Sequence, residues 1–398
     1  MPATPALLDD DGCYRALAAR DARFDGRFFT GVITTGIYCR PVCRVRTPLR
    51  SNCRFFCDAA QAEQAGFRPC LRCRPELAPH YSPWSLPWSL HDASATLAEQ
   101  AARLLDEPGG WGEQAEGPAL PRLAGRLGVR DRHLRRIFEA RFGVSPLQYL
   151  QTRRLLCAKQ LLTDTDLPVA DVALASGFAS VRRFNTVFCG HYGMPPTRLR
   201  KSLPAAARGV ATVRLGLRPP YDAQAVMDFL ARRAVPGVEQ VVGGEYTRTA
   251  CIPSAQRQHT GWFSVRIDSG AHQAVLLAGD GLRGALPTLI RRVRHLFDLD
   301  ADPQAIDAVL DGDFPGGDGL RVPGTIDGFE LAVRAVLGQQ ITVAAARTLA
   351  GRLAERFGEP LATPHGDLVR LFPTAQALAA AGSDALGRLG RGCQYFCV

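Results

Sequence analysis

The stretch GIYCRPVCRVRTPLR, residues 36–50, places two cysteines four positions apart among four arginines. A second stretch, GFRPCLRCRPE at 66–76, places two further cysteines three positions apart. Paired thiols at such intervals suit a tetrahedral Zn²⁺ site, in which four thiolates close the coordination shell. We therefore predict a zinc centre near the N-terminus, built from these two cysteine pairs. We call the pair in 36–50 the first knuckle and the pair in 66–76 the second knuckle.

The cysteine spacing leaves the ligand set open. Cys43 and Cys70 are separated by 26 residues, and a third close pair, Cys53 and Cys57, lies between them. Spacing favours Cys39, Cys43, Cys70 and Cys73 only modestly over other tetrads. The alternative is that these thiols are small buried apolar side chains. The N-terminal residues MPATPALLDDDG lack the pattern of a secretory signal, so we expect a cytoplasmic protein, in which such pairs indicate metal ligands rather than disulfides.

The basic charge is concentrated in the first half of the chain. The net charge is +10, and residues 1–201 hold 28 Lys/Arg against 19 Asp/Glu. A local basic excess favours a polyanionic partner, most simply nucleic acid, although a solvated basic surface is the alternative. No charge-free apolar run of about 18 residues is present, so we expect no membrane span.

Residues 11–77 carry a specific resemblance. The segments TTGIYCRPVCRVR and AGFRPCLRCRPE resemble the N-terminal domain of the Ada adaptive-response family. The resemblance implies that Cys39 is both a zinc ligand and the nucleophile that takes a methyl group from a methylphosphotriester in DNA. It implies the remaining ligands Cys43, Cys70 and Cys73, and DNA-phosphate contacts by Thr35, Arg46 and Arg68.

This chemistry is physically reasonable. A thiolate rather than a thiol attacks carbon, and zinc keeps a bound thiol deprotonated at neutral pH. The leaving group is a phosphate diester anion, whose charge nearby arginines stabilise. The product thioether does not revert, so we expect each molecule to act once. The alternative is a zinc-stabilised regulator in which Cys39 is only structural.

Residues 119–200 contain an internal repeat with a period of 50, in which Phe138 corresponds to Phe188 and Gly143 to Gly193. Each copy predicts a helix, a tight turn at Gly128 or Gly177, and a second helix with one apolar face. A generic helical bundle with a solvated arginine face is the alternative.

The repeat resembles the AraC-family DNA-binding domain, two helix-turn-helix units joined by a helix at 146–162. The resemblance implies that recognition helices at 131–141 and 180–190 enter successive major grooves. Candidate DNA-binding residues on and beside these helices are Arg130, Arg132, Arg135, Arg136, Arg182, Arg183 and Asn185.

The second half, over about 208–390, resembles the 3-methyladenine DNA glycosylase II (AlkA) family in segments 214–239, 326–358 and 371–390. The resemblance implies a mixed α/β domain followed by a helix-hairpin-helix glycosylase domain, which flips a damaged base out of the stack. It places Gln340, beside Gln339, where the family inserts a side chain into the duplex. A helix-joining turn with exposed glutamines is the alternative.

In this family the hairpin and the catalytic aspartate would follow residue 390, where the chain reads RGCQYFCV. We therefore expect a truncated glycosylase region without turnover, and an active fused glycosylase is the alternative. Asp327 fits a helix N-terminal acid better than a catalyst.

Together these patterns predict a multidomain α+β protein of the alkylation-damage response. The predicted domains are a small zinc-bound α/β module at 8–78, an all-α double helix-turn-helix at 92–202, a mixed α/β domain at 208–312 and an incomplete all-α domain at 320–398. We expect one Zn²⁺, double-stranded DNA and RNA polymerase as partners, and a cytoplasmic, nucleoid-associated location.

Overall fold

The computed structural model describes residues 9–80, 93–106, 119–200, 210–253, 257–310, 313 and 315–389. They form two compact units, the first from described residues within 1–204, 215–220 and 299–318, and the second from the remainder. The multidomain α+β class is confirmed, since a small cysteine-rich sheet, a helical region and a larger mixed region are all present. Within the described ranges, no helix is long and apolar enough to cross a bilayer.

The first unit begins with a four-stranded sheet in the order β3-β1-β2-β4. Helix α2 packs on this sheet over a core that contains Phe29, Tyr38 and Phe67. The elements are α1 (Asp10–Ala19), β1 (Phe29–Val32), β2 (Ile37–Cys39), β3 (Cys53–Phe56), α2 (Ala59–Gln64) and β4 (Arg68–Pro69). We call this part the zinc module.

The helical region of the first unit contains the predicted repeat. Gly128 and Gly177 adopt φ angles of +67° and +85° at the turns, where a side chain would be strained. A capping box between Ser145 and Gln148, with Pro146 in the first turn, starts the long joining helix. The helices are α3 (Ala93–Leu105), α4 (Ala119–Arg126), α5 (Asp131–Phe142), α6 (Pro146–Asp164), α7 (Val169–Ala175), α8 (Val181–Tyr192) and α9 (Pro196–Leu199).

The apolar faces expected on the two recognition helices are confirmed. Leu134 and Phe138 of α5, and Phe184 and Phe188 of α8, have no exposed surface. The helices end one or two residues later than predicted, at Phe142 and Tyr192, where Gly143 and Gly193 cap them in the left-handed conformation.

The second unit contains a five-stranded sheet in the order β5-β9-β8-β7-β6, of which β6 to β9 are antiparallel neighbours. In strand β8, Phe263 and Val265 are fully buried and Arg266 is exposed, although Ser264 on the same face as Arg266 is also buried. The strands are β5 (Val210–Gly216), β6 (Glu239–Val242), β7 (Glu245–Pro253), β8 (Gln258–Asp268) and β9 (Gln273–Gly279).

Helices complete both units. Asp327 caps α13, its carboxylate accepting a 2.9 Å hydrogen bond from the Glu330 amide, as the sequence predicted. The helices are α10 (Ala223–Arg233), α11 (Leu286–Leu296), α12 (Pro303–Leu310, in the first unit), α13 (Gly328–Leu337), α14 (Val343–Phe357) and α15 (Ala375–Gly387). The chain end from 390, on which the truncation expectation rests, lies outside the described residues.

Candidate metal centre and its DNA-facing surroundings

Strand pairing brings the two cysteine knuckles together. Strands β2 and β4 are parallel neighbours, with Tyr38 opposite Pro69, so the next residue of each strand, Cys39 and Cys70, leaves the same edge of the sheet. The sulfurs of Cys39, Cys43, Cys70 and Cys73 all lie within 4.8 Å of one another. A tetrahedral Zn²⁺ with Zn–S near 2.3 Å places its sulfurs ~3.8 Å apart. The cluster therefore has the size and ligand type that one zinc ion needs.

The ionisation of these four thiols also favours a bound cation. Hydrogen bonding to Cys43 raises the pKa of the Cys39 thiol far above its ordinary value, whereas bonding to Cys39 lowers the pKa of Cys43 to about 7. Four thiols this close cannot all ionise unaided, because each new negative charge opposes the next. The residues thus fit one Zn²⁺ held by four thiolates. Among the described residues, Cys53 and Cys57 form no such group, so the geometry favours the four clustered cysteines over the other tetrads left open by spacing.

Arg40 holds the two knuckles in place from behind. Its backbone N–H donates to Cys73 Sγ at 3.3 Å, and its guanidinium donates to the Cys73 carbonyl at 3.1 Å. The same guanidinium forms a bidentate pair with the buried carboxylate of Asp25. Although burial opposes its charge, Asp25 raises the pKa of Arg40 above its ordinary value. Arg40 is thus a charged residue outside the set of metal ligands, and it orients the ligand Cys73.

Replacing Arg40 by lysine will loosen the zinc. A lysine ammonium cannot bond both Asp25 oxygens and the Cys73 carbonyl as the planar guanidinium of Arg40 does. Loss of a residue that hydrogen-bonds to a metal ligand costs about 10- to 100-fold in metal affinity. Zinc transfer to a chromogenic chelator measures the change. The control is Arg44→Lys at an exposed neighbour, and equal zinc affinity of both variants would contradict the role.

The predicted phosphate contacts lie on the surface of the zinc module. Thr35 and Arg46 are exposed, on the β1–β2 turn and on the loop after Cys43 respectively. Arg68 is also exposed, and it lies opposite Ile37 in the β2–β4 pair with its Nη1 beside Gly193 at the end of α8. Their phosphate-binding roles stay a prediction.

Helix α2 of the zinc module touches the C-terminal ends of both recognition helices. The Gln61 side-chain amide donates to the Phe142 carbonyl at 2.9 Å, and Glu63 Oε1 lies 3.3 Å from His191 Nε2. Glu63 also accepts hydrogen bonds from Thr152 of α6 at 2.5 Å and from Tyr38 at 3.0 Å. Since Tyr38 directly precedes Cys39, one carboxylate connects the metal strand with two helices of the DNA-binding region.

A second connection is largely buried. Lys159 of α6 donates to the carbonyl of the zinc ligand Cys70 at 3.1 Å and pairs with Glu76. Glu76 also accepts from Arg74 at 2.9 Å, and Arg74 donates to Asp164 at 2.6 Å. The side chains of Lys159, Glu76 and Asp164 are each 1% exposed. Two cations and two anions therefore join the second knuckle to α6.

The candidate DNA-reading side chains point outward. All six arginines are exposed and Asn185 is half-buried, so the helices present a basic surface opposite their apolar faces. The residues concerned are Arg130, Arg132, Arg135, Arg136, Arg182, Arg183 and Asn185. Their individual contacts with DNA stay predictions.

Gln339 and Gln340 lie in the second unit, in the turn between α13 and α14, and both are exposed. Gln340 adopts a φ angle of +61°, which is unusual for a residue with a side chain. This strained turn is compatible both with a side chain that inserts into the duplex and with a turn that only joins two helices. The role of Gln340 in the duplex stays a prediction.

The sequence interpretation missed Arg40, Glu63 and Lys159. Arg40 follows Cys39 directly, and Lys159 is one of only two lysines among 48 basic residues. Both facts could have marked these positions. Nothing local in the sequence marks Glu63, because its partners come from three other elements.

The comparisons with known proteins follow the same division of the chain. Family models match the metal-binding domain of Ada at residues 12–76, a helix-turn-helix domain at 123–202 and the AlkA N-terminal domain at 212–327. The regulatory protein ada of Salmonella typhimurium is 35% identical over 49% of this chain and 50% of its own length. DNA-3-methyladenine glycosylase 2 of Escherichia coli is 36% identical over 44% of this chain and 60% of its own.

One relative combines all three parts. The probable bifunctional transcriptional activator/DNA repair enzyme AlkA of Mycobacterium tuberculosis (strain ATCC 25618 / H37Rv) is 38% identical over 383 residues, which cover 93% of this chain and 74% of the relative. This coverage spans the zinc module, the double helix-turn-helix and the glycosylase-like region together. The chain therefore belongs to the family of bifunctional transcriptional activator/DNA repair enzymes that join an Ada-type zinc domain to an AlkA-type region.

Proposed function

We propose that this protein takes the methyl group of a DNA methylphosphotriester irreversibly onto Cys39 and then activates transcription through its double helix-turn-helix. The carrying observation is the group of four cysteine sulfurs within 4.8 Å, with Cys39 at the end of β2. The exposed arginines on α5 and α8 supply the second half of the proposal. The matched Ada metal-binding domain and the fused relative support both halves together.

The chain's residues divide the transfer between them. Bound zinc would keep the four sulfurs deprotonated at neutral pH. The Cys39 thiolate uses its electron pair to form a bond to the methyl carbon, while the C–O bond breaks and its pair leaves with the phosphate diester. Arg46 and Arg68 stabilise the new negative charge on that diester. No proton moves, so the step needs no general acid or base.

Mass spectrometry tests the transfer directly. The zinc-loaded protein is incubated with a duplex that carries one methylphosphotriester and is then digested. The proposal expects one added methyl group on the peptide containing Cys39 and loss of the ester from the DNA, in equal amounts. A restored diester without methylated Cys39, or an intact ester, would refute it.

Methylation will also strengthen promoter binding. Four thiolates around Zn²⁺ carry −2, and methylation of one leaves −1, so repulsion from a facing phosphate falls. Two unit charges ~8 Å apart at an effective dielectric of ~20–80 interact by about 0.5–2 kcal/mol, or about 2- to 30-fold in affinity. Binding titrations of both forms at one salt concentration measure this, and equal affinities would exclude the switch.

The finer assignments belong to the same proposal. We propose that the DNA-bound form contacts RNA polymerase, because activation of transcription requires the methylation signal to reach the polymerase. We also propose that the protein is cytoplasmic and nucleoid-associated, because its partner is chromosomal DNA. The domain limits 8–78, 92–202, 208–312 and 320–398 are likewise proposed. The AlkA-type region is proposed to be a DNA-facing part of the chain, with Gln339 and Gln340 exposed in the turn between α13 and α14.

A further inference from the structure

A small, partly enclosed cleft lies beside Cys39 and has room for one water-sized group. Cys39 and Cys43 both line it, so it reaches the metal centre. Its other walls are mostly apolar and come from separate segments of the zinc module, through Leu17, Val32, Val45 and Pro48. An apolar space of this size is poorly suited to a phosphate oxygen and well suited to a methyl group.

Two threonines, Thr30 and Thr47, interrupt the apolar lining, and Thr30 is the one beside Cys39. Thr30 lies directly opposite Cys39 in the β1–β2 pair, so both side chains project from the same face of the sheet. Thr30 has no exposed surface, and its Oγ1 has no hydrogen-bond partner among the described residues. A buried hydroxyl without a partner is costly. The hydroxyl is therefore available to a small group held in the cleft.

Two segments that line the cleft also contain or lead into predicted phosphate contacts. Val45 and Thr47 line the cleft and flank Arg46 in the sequence. Val32 also lines the cleft and leads into the turn that holds Thr35. A phosphotriester bound at these contacts by charge would direct its ester methyl group toward the apolar interior and Cys39.

We propose that this cleft receives the methyl group during transfer and that Thr30 sets the size of the alkyl group accepted. The inference rests on the proposed methyl transfer and names the part of the site that selects the substrate. During transfer the methyl carbon enters the cleft, gains the S–C bond to Cys39 and loses its C–O bond to the departing diester, which keeps the electron pair.

The size limit follows from the wall that Thr30 forms. An ethyl ester brings one more carbon into a space for one small group, and one extra methylene in a fitted apolar pocket changes discrimination by about 10- to 200-fold. Thr30→Ala removes part of the wall, whereas Thr30→Val keeps its volume and removes only the hydroxyl. The alanine variant will therefore discriminate less, and the valine variant will keep the wild-type ratio.

Transfer rates from methyl- and ethylphosphotriester duplexes test the size limit in zinc-loaded wild type, Thr30→Ala and Thr30→Val. Comparing methyl-to-ethyl ratios between proteins cancels the lower intrinsic reactivity of the ethyl carbon. We expect the ratio of Thr30→Ala to fall at least ~10-fold below that of Thr30→Val. Equal ratios in all three proteins would overturn the size limit. A Thr30→Val ratio that falls below wild type together with that of Thr30→Ala would also overturn it, because the hydroxyl rather than the wall would then select.

The position of the methyl group is measured independently of rate. Wild-type protein is reacted with a ¹³C-methyl ester, and nuclear Overhauser contacts of the Cys39 S-methyl group are recorded. Contacts to the methyl groups of Val32 and Val45 are expected. A methylated Cys39 without these contacts would overturn the cleft while leaving the proposed function intact, whereas an unmethylated Cys39 would refute the proposed function itself.

Discussion

Replacing Cys39 by alanine will reduce methyl transfer from a DNA methylphosphotriester to an undetectable level. The substitution removes the only sulfur proposed to attack carbon, and a chain without its nucleophile has no other route to the thioether. It also removes one of four zinc ligands, so the variant will hold zinc more weakly. Methyl content of the protein and zinc stoichiometry, determined on the same sample, separate these two losses.

Two matched variants make this result specific. Cys43→Ala also removes a ligand but keeps the nucleophile, so with excess zinc it should regain part of the transfer that Cys39→Ala cannot regain. Cys53→Ala changes a buried cysteine outside the cluster and should keep both zinc and transfer. Methylation of any other cysteine in the Cys39→Ala protein would show that the acceptor has been assigned to the wrong sulfur.

The sequence predicted the features whose information is local. Two knuckles with short intercysteine spacings indicate a metal site wherever the chain places them, and a 50-residue repeat with turn glycines indicates paired helices. The Asp327 cap is likewise a short-range pattern, and the structure confirms it.

The remaining features depend on pairings between distant segments. Thr30 becomes a wall of the cleft only because the β1–β2 register sets it opposite Cys39, and a shift of one residue would turn it to the other face. Glu63 similarly gains its partners from β2, α6 and α8. Such partners are not contained in spacing or composition, so sequence reasoning could name the ligands but not what surrounds them.

The buried charge network between the second knuckle and α6 leads to the other large effect. Lys159→Met will lower the free energy of unfolding of the first unit by about 3–5 kcal/mol, the usual cost of removing one partner of a buried ion pair. The loss is large because Glu76 stays buried with only Arg74 to balance it, although Arg74 also serves Asp164. Chemical denaturation followed through helix content measures the change.

The sign of the charge that each single substitution leaves unbalanced distinguishes Lys159→Met from Glu76→Gln. Lys159→Met leaves the network with a net −1 directly behind the zinc ligand Cys70, where the tetrathiolate centre already carries −2, whereas Glu76→Gln leaves +1 there. Like charges repel more strongly in a buried site, so Lys159→Met should be the more damaging variant. The double variant Lys159→Met/Glu76→Gln should recover much of the loss, because neither residual charge remains unpaired. Additive costs in this cycle would mean that Lys159 and Glu76 act separately, and α6 would then be joined to the zinc module by packing rather than by charge.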